Sequence, residues 1–225
     1  TLTAGKNEVE SPRKATVTFK ADGMDDVVVS VTQAAAEGEE PPVEDSGLLF
    51  PGSDVNNWTT FTSSLNSYGV TFGKESATGG RDGSGAMLFE GQHGSNAYVF
   101  TAKVPEGFSA AGKTKINFWV KGTAVKSLSM NVYVGDVEKP VMGVDYKCYN
   151  MDEYNPYSSH HVLAPTDANS YAKGGIDTGG EWVQVSLDIS TIANDINSTP
   201  GADLFALKVG SKADYNLYID DITIE

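Results

Sequence analysis

Three aromatic residues, Trp119, Tyr133 and Trp182, fall on the polar faces of predicted strands. Successive side chains of a strand point to opposite faces, so each ring shares its face with Asn, Gln, Ser, Lys or Asp residues. Aromatic rings can stack on the C–H patches of a sugar, while amides and carboxylates pair with its hydroxyl groups. The pattern predicts a surface suited to stacking on a ligand of that kind. The alternative is that loops cover these rings, which then form a minor core.

A second group of candidate residues lies between residues 136 and 175, a stretch rich in tyrosine. Its binding candidates are Tyr149, Tyr154, Tyr157 and His160. No strand pattern is visible there, and connections of this length without secondary structure are uncommon and often functional. Tyrosine also offers a large, rigid and amphipathic contact area. The stretch therefore predicts a binding loop, with a loop packed by its own aromatics as the alternative.

Catalytic and transition-metal chemistry find little support in the sequence. Glycosidases need two carboxylates at a fixed separation, whereas Asp152 and Glu153 are adjacent and have no identifiable opposed partner. Nucleophile-elbow, zinc-protease and phosphate-loop motifs are absent from the sequence. His160 and His161 are neighbours that would point apart on a strand, so they poorly share one ion. We therefore expect no catalysis, with a glycoside hydrolase or lyase as a rival interpretation.

Charge and composition exclude several classes of partner. The 225 residues carry a net charge of −14, with 30 acidic against 16 basic residues, and no basic stripe interrupts them. Such a surface repels nucleic-acid phosphates and anionic membranes. No stretch approaches the ~20 apolar residues of a membrane span. The single cysteine, Cys148, is expected to be a small buried hydrophobe.

The sequence after residue 47 is typical of an all-β domain. Short apolar runs alternate with glycine-rich turns, which predicts an antiparallel β-sandwich or barrel. The predicted strands are residues 86–90, 96–104, 115–121, 128–134, 182–189, 204–209 and 217–224. No convincing amphipathic helix is found, and residues 190–196 are expected to form at most one turn.

An acidic segment rich in proline and glycine divides the chain. Residues 34–47 read AAAEGEEPPVEDSG and have no periodic apolar pattern, which favours an extended, self-repelling spacer. Two strands are predicted before it, joined by an Asp-Gly turn. The expected domains are residues 1–35, a linker at 36–47, and a large β domain at 48–225.

The first segment resembles the end of a BACON domain, a small immunoglobulin-like module of Bacteroidetes surface proteins. The pattern R-x-A-T-V-x-F begins at Arg13, and V-x-V-T-Q-A ends at Ala34. Such modules often lie beside glycan-active domains in polysaccharide utilisation. The resemblance implies a secreted or cell-surface protein, either an outer-membrane lipoprotein or a periplasmic protein, with neighbouring domains or surface-complex partners. We expect any targeting signal to lie upstream of Thr1.

The second segment resembles carbohydrate-binding modules with the galactose-binding-like jelly roll. The resemblance is carried by Asn57-Trp58 and by residues 83–89, 116–122, 181–189 and 217–222. It implies a jelly-roll sandwich that binds a polysaccharide or oligosaccharide without cleaving it. A rival interpretation is a structural or adhesive protein that uses the same sandwich to contact a protein partner.

The same resemblance implies a structural calcium ion. Modules of this type often hold Ca²⁺ near the ends of the first and last strands. Asp220 and Asp221 match the acidic position of the last strand, and Asp54 lies in a segment that could approach them. Calcium takes six to eight oxygen ligands. The alternative is that Asp220 and Asp221 form a solvated strand end.

Overall fold

The computed structural model describes residues 13–19, 27–33, 47–135, 139–151, 154, 159–171 and 174–225. The chain divides into two compact units, Thr1–Ser46 and Gly47–Glu225. In the first unit, β1 (Arg13–Phe19) and β2 (Val27–Gln33) pair antiparallel. The predicted Asp-Gly turn and nearly all of the predicted linker lie outside the described residues.

The second unit is a β-sandwich whose described residues also form a short α-helix, α1 (Trp58–Ser63), and a 3-10 turn at Arg81–Gly83. Its strands are β3 (Lys74–Ser76), β4 (Ala86–Gln92), β5 (Ala97–Lys103), β6 (Lys115–Ala124), β7 (Leu128–Tyr133), β8 (Tyr146–Asn150), β9 (His160–Leu163), β10 (Ile176–Asp177), β11 (Val183–Asp188), β12 (Asp203–Val209) and β13 (Asp214–Ile224). The prediction of an all-β, antiparallel sandwich is confirmed.

Two sheets make up the sandwich. A seven-stranded sheet has the order β3-β4-β13-β6-β11-β9, with β10 also paired to β6, and a four-stranded sheet has the order β5-β12-β7-β8. The described pairs are antiparallel, apart from the parallel pair of β9 with β11. No helix in the described part of the chain is long and apolar enough to cross a membrane.

Strand alternation explains which side chains enter the core. In β6 and β11, Phe118 lies opposite Val185 and Ile116 lies opposite Leu187, and all four side chains are buried. The residues between them point to the outer face of the seven-stranded sheet. Cys148 is also buried, as the sequence predicts, and desolvation raises the pKa of its thiol to about 11.

Several elements were not anticipated. The stretch from residue 136 to residue 175 contains β8 and β9, so the expectation of a loop without strands is wrong. The strand β8 has no clean alternation of buried and exposed side chains, because its adjacent residues Cys148 and Tyr149 are both buried. Helix α1 was missed because six residues that bury only Phe61 show no helical period, although Asn57 caps it through the Thr60 N–H.

Candidate functional site: a cleft lined by tyrosines

An open cleft of about 510 Å³ is formed by residues of β5, β7, β8 and β12 together with the loops beside them. We call it the tyrosine cleft. Its volume falls within the ~300–1,000 Å³ of small-molecule sites. The aromatic and polar residues that line it are Tyr68, Tyr98, Phe100, Tyr133, Tyr146, His93, Asn66, Thr71, Thr101 and Asp203.

The wall of the cleft is a pair of tyrosines on neighbouring strands. Tyr133 of β7 lies directly opposite Tyr146 of β8, and their ring centroids are 5.3 Å apart at an interplanar angle of 52°. With Cys148 and Ala206, they form a small buried cluster separate from the main core. Burial raises the pKa of Tyr146 to about 12 and that of Tyr133 further. Both hydroxyl groups therefore stay protonated and can donate hydrogen bonds at neutral pH.

Tyr98 of β5 is the accessible ring beside this pair. Its side chain is 39% exposed, whereas Tyr133 is only 4% exposed. The Tyr98 hydroxyl also interacts with the hydroxyls of Tyr133 and Tyr146, which contributes to their raised pKa values. The three phenol groups thus converge, and Tyr98 is the one that a ligand can cover.

A half-buried cation fixes the position of Tyr98. The Lys208 ammonium lies 4.5 Å from the Tyr98 ring centroid and donates a hydrogen bond to Asn169 Oδ1. Asn131 Nδ2 donates to the Tyr98 hydroxyl at 3.4 Å. Burial lowers the pKa of Lys208. A ring held by a cation on its face and an amide at its hydroxyl loses little entropy when a ligand stacks on it.

The rim of the cleft carries the most exposed ring of the group. Tyr68 is 81% exposed and sits in a turn closed by the Gly69 N–H, which donates to the Asn66 carbonyl at 3.0 Å. Gly69 has φ +60°, a conformation that glycine adopts without strain. The segment then runs along the edge of β5, where the Thr71 N–H donates to the Val99 carbonyl at 2.8 Å. A backbone held by these hydrogen bonds therefore presents a solvent-exposed ring beside the cleft.

A single described carboxylate enters the cleft, that of Asp203 at the start of β12. Burial raises its pKa, and a hydrogen bond with the Asn66 side chain lowers it by a smaller amount. Asn66 therefore orients this carboxylate. The site combines stacking surfaces with a strong hydrogen-bond acceptor, which suits a ligand that has both C–H faces and hydroxyl groups.

One predicted site residue, Tyr149, is excluded from ligand binding. It is fully buried in the main core, and its hydroxyl donates to the Asp188 carbonyl at 2.9 Å. The prediction of an accessible tyrosine is wrong because β8 places this ring on its core side.

The alternative of covering loops applies to the polar face of β7, where Asn169 Nδ2 lies 2.6 Å from Ser129 Oγ and 2.9 Å from Asn131 Oδ1. Tyr133, from the same face, lines the cleft.

Three other predicted residues, Trp119, His160 and Trp182, lie on the outer face of the seven-stranded sheet. Gln184 is paired with Trp119 on one side and with His160 on the other, and Trp182 precedes β11. We call this surface the tryptophan face. Each tryptophan has a cation over its ring: Arg81 Cζ lies 3.9 Å from the Trp119 centroid, and Lys121 Nζ lies 5.9 Å from the Trp182 centroid.

The remaining loop candidates do not line the tyrosine cleft. Tyr154 is partly buried, stacks on His161 with ring centroids 4.6 Å apart, and donates to the Asp177 carbonyl at 3.1 Å. His160 is exposed, and its Nε2 lies 2.7 Å from Ser186 Oγ. Tyr157 lies outside the described residues.

The predicted calcium ligands are engaged by donors of the protein itself. Asp220 is fully buried; its Oδ2 accepts from the Arg81 N–H at 2.8 Å and its Oδ1 from the Asp221 N–H at 2.8 Å. Arg81 also donates to Asp221 Oδ2 at 2.8 Å. Asp54 accepts two hydrogen bonds from Asn56. Oxygens that face N–H groups and a guanidinium do not favour calcium, which needs six to eight oxygen ligands.

No described group of three His, Cys, Asp or Glu side chains could hold a metal ion. A calcium site therefore stays a prediction, and no property of the cleft depends on it.

Desolvation raises the pKa of Asp220 to about 6. Asp221 has φ +49°, at a register shift between β13 and β6. At this shift the Asp220 carboxylate lies on the tryptophan face beside Trp119, covered by the Arg81 backbone, and the Asp221 carboxylate reaches the Arg81 guanidinium.

Sequence reasoning missed most of the cleft. Tyr98 was inside a predicted strand, but its neighbours Ala97 and Val99 are apolar and the register shifts nearby, so simple alternation did not mark it. Long-range pairing brings Tyr68, Asn66 and Asp203 to the cleft.

No protein-family model matches this sequence. A search of the curated proteins also finds no match.

Proposed function

We propose that the sandwich unit binds glycans in the tyrosine cleft without cleaving them. The observation that supports this most directly is the convergence of accessible and buried tyrosines, Tyr68, Tyr98, Tyr133 and Tyr146, on one open cleft with an oriented carboxylate. Sugars present C–H faces for the rings and hydroxyl groups for Asp203 and the phenols.

Binding is a better fit than hydrolysis. Glycosidases use a pair of carboxylates about 5–10 Å apart. Among the described residues that line the cleft, Asp203 is the only carboxylate. Release of reducing ends from a bound polysaccharide would contradict this part of the proposal.

The setting of this activity is part of the same proposal. The likeness of residues 11–34 to a BACON domain supports a place at a bacterial cell surface, in polysaccharide utilisation. The acidic residues 36–47 would act as a spacer, because like charges extend a chain.

An adhesive, protein-binding role is the second candidate. It is favoured by three exposed apolar residues near Pro140 at the cleft, since Val141 is 58%, Met142 48% and Val144 69% exposed. Exposed apolar residues in one loop are typical of protein contacts. Binding of a protein that is lost in Val144→Ser but not in Tyr98→Ala would favour this second role.

The test is affinity electrophoresis of the wild-type protein against plant, host and microbial polysaccharides. We expect one or a few polymers to retard the protein, and Tyr98→Ala to lose about tenfold in affinity, because it removes the stacking surface beside the cleft. Trp182→Ala is the matched control, because it removes a partly buried ring from the other sheet. Retardation that depends on Trp182 and not on Tyr98 would overturn the assignment to the cleft.

A further inference from the structure

The one Asp, Glu, Lys or Arg among the described residues that line the tyrosine cleft is acidic. Among its described lining residues, Asp203 carries an acidic side chain and none is lysine or arginine. The whole chain adds a net charge of −14. An anionic ligand would therefore approach through a negative field and meet a carboxylate at the site itself.

The basic residues close to the cleft do not line it. Lys208 lies over Tyr98, but its ammonium donates to Asn169 and packs against the ring. Lys103 is paired with Asp203 between β5 and β12, and Lys139 precedes Pro140. Neither is a lining residue. A carboxylate or sulfate on a bound sugar would thus lack the paired, charge-assisted donors that such groups need.

An uncharged sugar is not repelled by the Asp203 carboxylate and can form hydrogen bonds with it. Its hydroxyl groups can donate to the Asp203 carboxylate, which Asn66 already orients, and hydrogen bonds to an ionised acceptor are the strong ones. A further hydroxyl of the sugar can pair with the Tyr98 hydroxyl, which belongs to the accessible ring of the three that converge.

We infer that the tyrosine cleft selects uncharged glycans and excludes units that carry uronic acid or sulfate groups. This inference rests on the proposed function and specifies its class of ligand. The selection is made by Asp203 within the cleft, because the lining tyrosines offer stacking surfaces that would accept either kind of sugar face.

A matched set of polymers distinguishes the effect of the ligand's charge on affinity from the effect of its shape. The probe is the neutral polysaccharide that binds most tightly in the panel, and it is used in three forms. The first is unmodified, the second has its C6 hydroxyls oxidised to carboxylates, and the third has those carboxylates methyl-esterified. Affinities are measured by isothermal titration calorimetry at pH 7 and low salt. We expect oxidation to weaken binding about tenfold or more, and esterification to restore most of it.

Asp203→Asn is the matched variant, since it keeps the shape and the contact with Asn66 while removing the charge. It should bind the oxidised polymer better than the wild-type protein does. Equal or tighter binding of the oxidised polymer by the wild type would overturn the selection while leaving glycan binding intact. So would a panel in which only acidic polymers bind, or an esterified polymer that stays as weak as the oxidised one. Absence of binding to any polymer, neutral or acidic, would overturn the proposed function and the inference together.

Discussion

The two aromatic surfaces of the sandwich differ in what covers their rings. On the tryptophan face, the Trp119 ring is covered by Arg81 at 3.9 Å, and this guanidinium is itself paired with Asp221. In the tyrosine cleft, a lysine lies over Tyr98, yet 39% of that residue stays exposed beside a cavity of about 510 Å³. Polar strand faces with aromatic rings therefore serve two purposes. One of them closes the outside of a sheet, and the other leaves room for a ligand.

The largest expected effect concerns Tyr149, which belongs to neither surface. Tyr149→Ala should lower the free energy of unfolding by about 3–5 kcal/mol, because it removes a large, fully buried ring from the core. Tyr149→Phe is the control and should cost only about 1 kcal/mol, for the lost hydrogen bond to the Asp188 carbonyl. Urea unfolding measures both. A Tyr149→Ala protein as stable as the wild type would show that this ring is not a core residue.

The buried carboxylate on the tryptophan face predicts a pH dependence. Desolvation raises the pKa of Asp220 to about 6 in the folded protein, so the folded state binds this proton more tightly than the unfolded chain. The contribution of Asp220 to stability is present below the unfolded pKa, near 4, and is lost as the pH rises through about 6. At ~1.4 kcal/mol per pKa unit, its size is on the order of 2–3 kcal/mol.

This dependence is measured as the difference between the wild-type protein and Asp220→Asn in urea unfolding from pH 4 to pH 8. Taking a difference removes the contributions of the other carboxylates. The wild-type protein should gain stability relative to the variant as the pH falls from 7 to 4. A difference that stays constant over this range would contradict a raised pKa of Asp220.

A smaller effect is expected from uncovering Trp119. Arg81→Met removes the guanidinium from the Trp119 ring and from Asp221, and should cost about 1 kcal/mol, because the ion pair is partly exposed. Acrylamide should then quench tryptophan fluorescence more strongly. Glycan binding should stay unchanged. A loss of glycan binding in Arg81→Met would place the ligand on the tryptophan face and reverse the comparison.

The smallest effect is expected from adding a calcium chelator. Because Arg81 already pairs with Asp221, and N–H groups face Asp220, EDTA should leave the midpoint of thermal unfolding unchanged. Added CaCl₂ should not raise it either. A clear fall in the midpoint with EDTA, reversed by calcium and absent in Asp220→Asn, would establish the ion that the sequence resemblance implies.

The sequence predicts the class of fold well, because strand alternation is a local property. The apolar residues of 115–121 and 182–189 pointed to the core as expected, and Trp119 and Trp182 pointed outward. The sequence does not predict which outward ring is accessible. The exposure of each ring depends on Arg81, which comes from a 3-10 turn distant in sequence, and on Asn169, which covers β7.

The candidate site was less predictable than the fold for the same reason. Of the residues predicted to bind a ligand, Tyr133 lines the tyrosine cleft, but the lining rings that are open to a ligand are Tyr68 and Tyr98. Asn66 and Asp203 meet across 137 positions of the chain through the pairing of β5 with β12 and the segment along the edge of β5. Only long-range topology brings such residues together, so neither their spacing nor their local pattern marks them.

The central claim is that a glycan occupies the tyrosine cleft and not the tryptophan face. It is tested most directly by titrating ¹⁵N-labelled protein with an oligosaccharide cut from a polymer that binds, and by following the amide shifts. The account predicts the largest changes at Tyr68, Gly69 and Tyr98, with little change at Trp119 and Trp182. The largest changes at Trp119, Lys121 and Trp182, with the amides around Tyr98 unmoved, would contradict it.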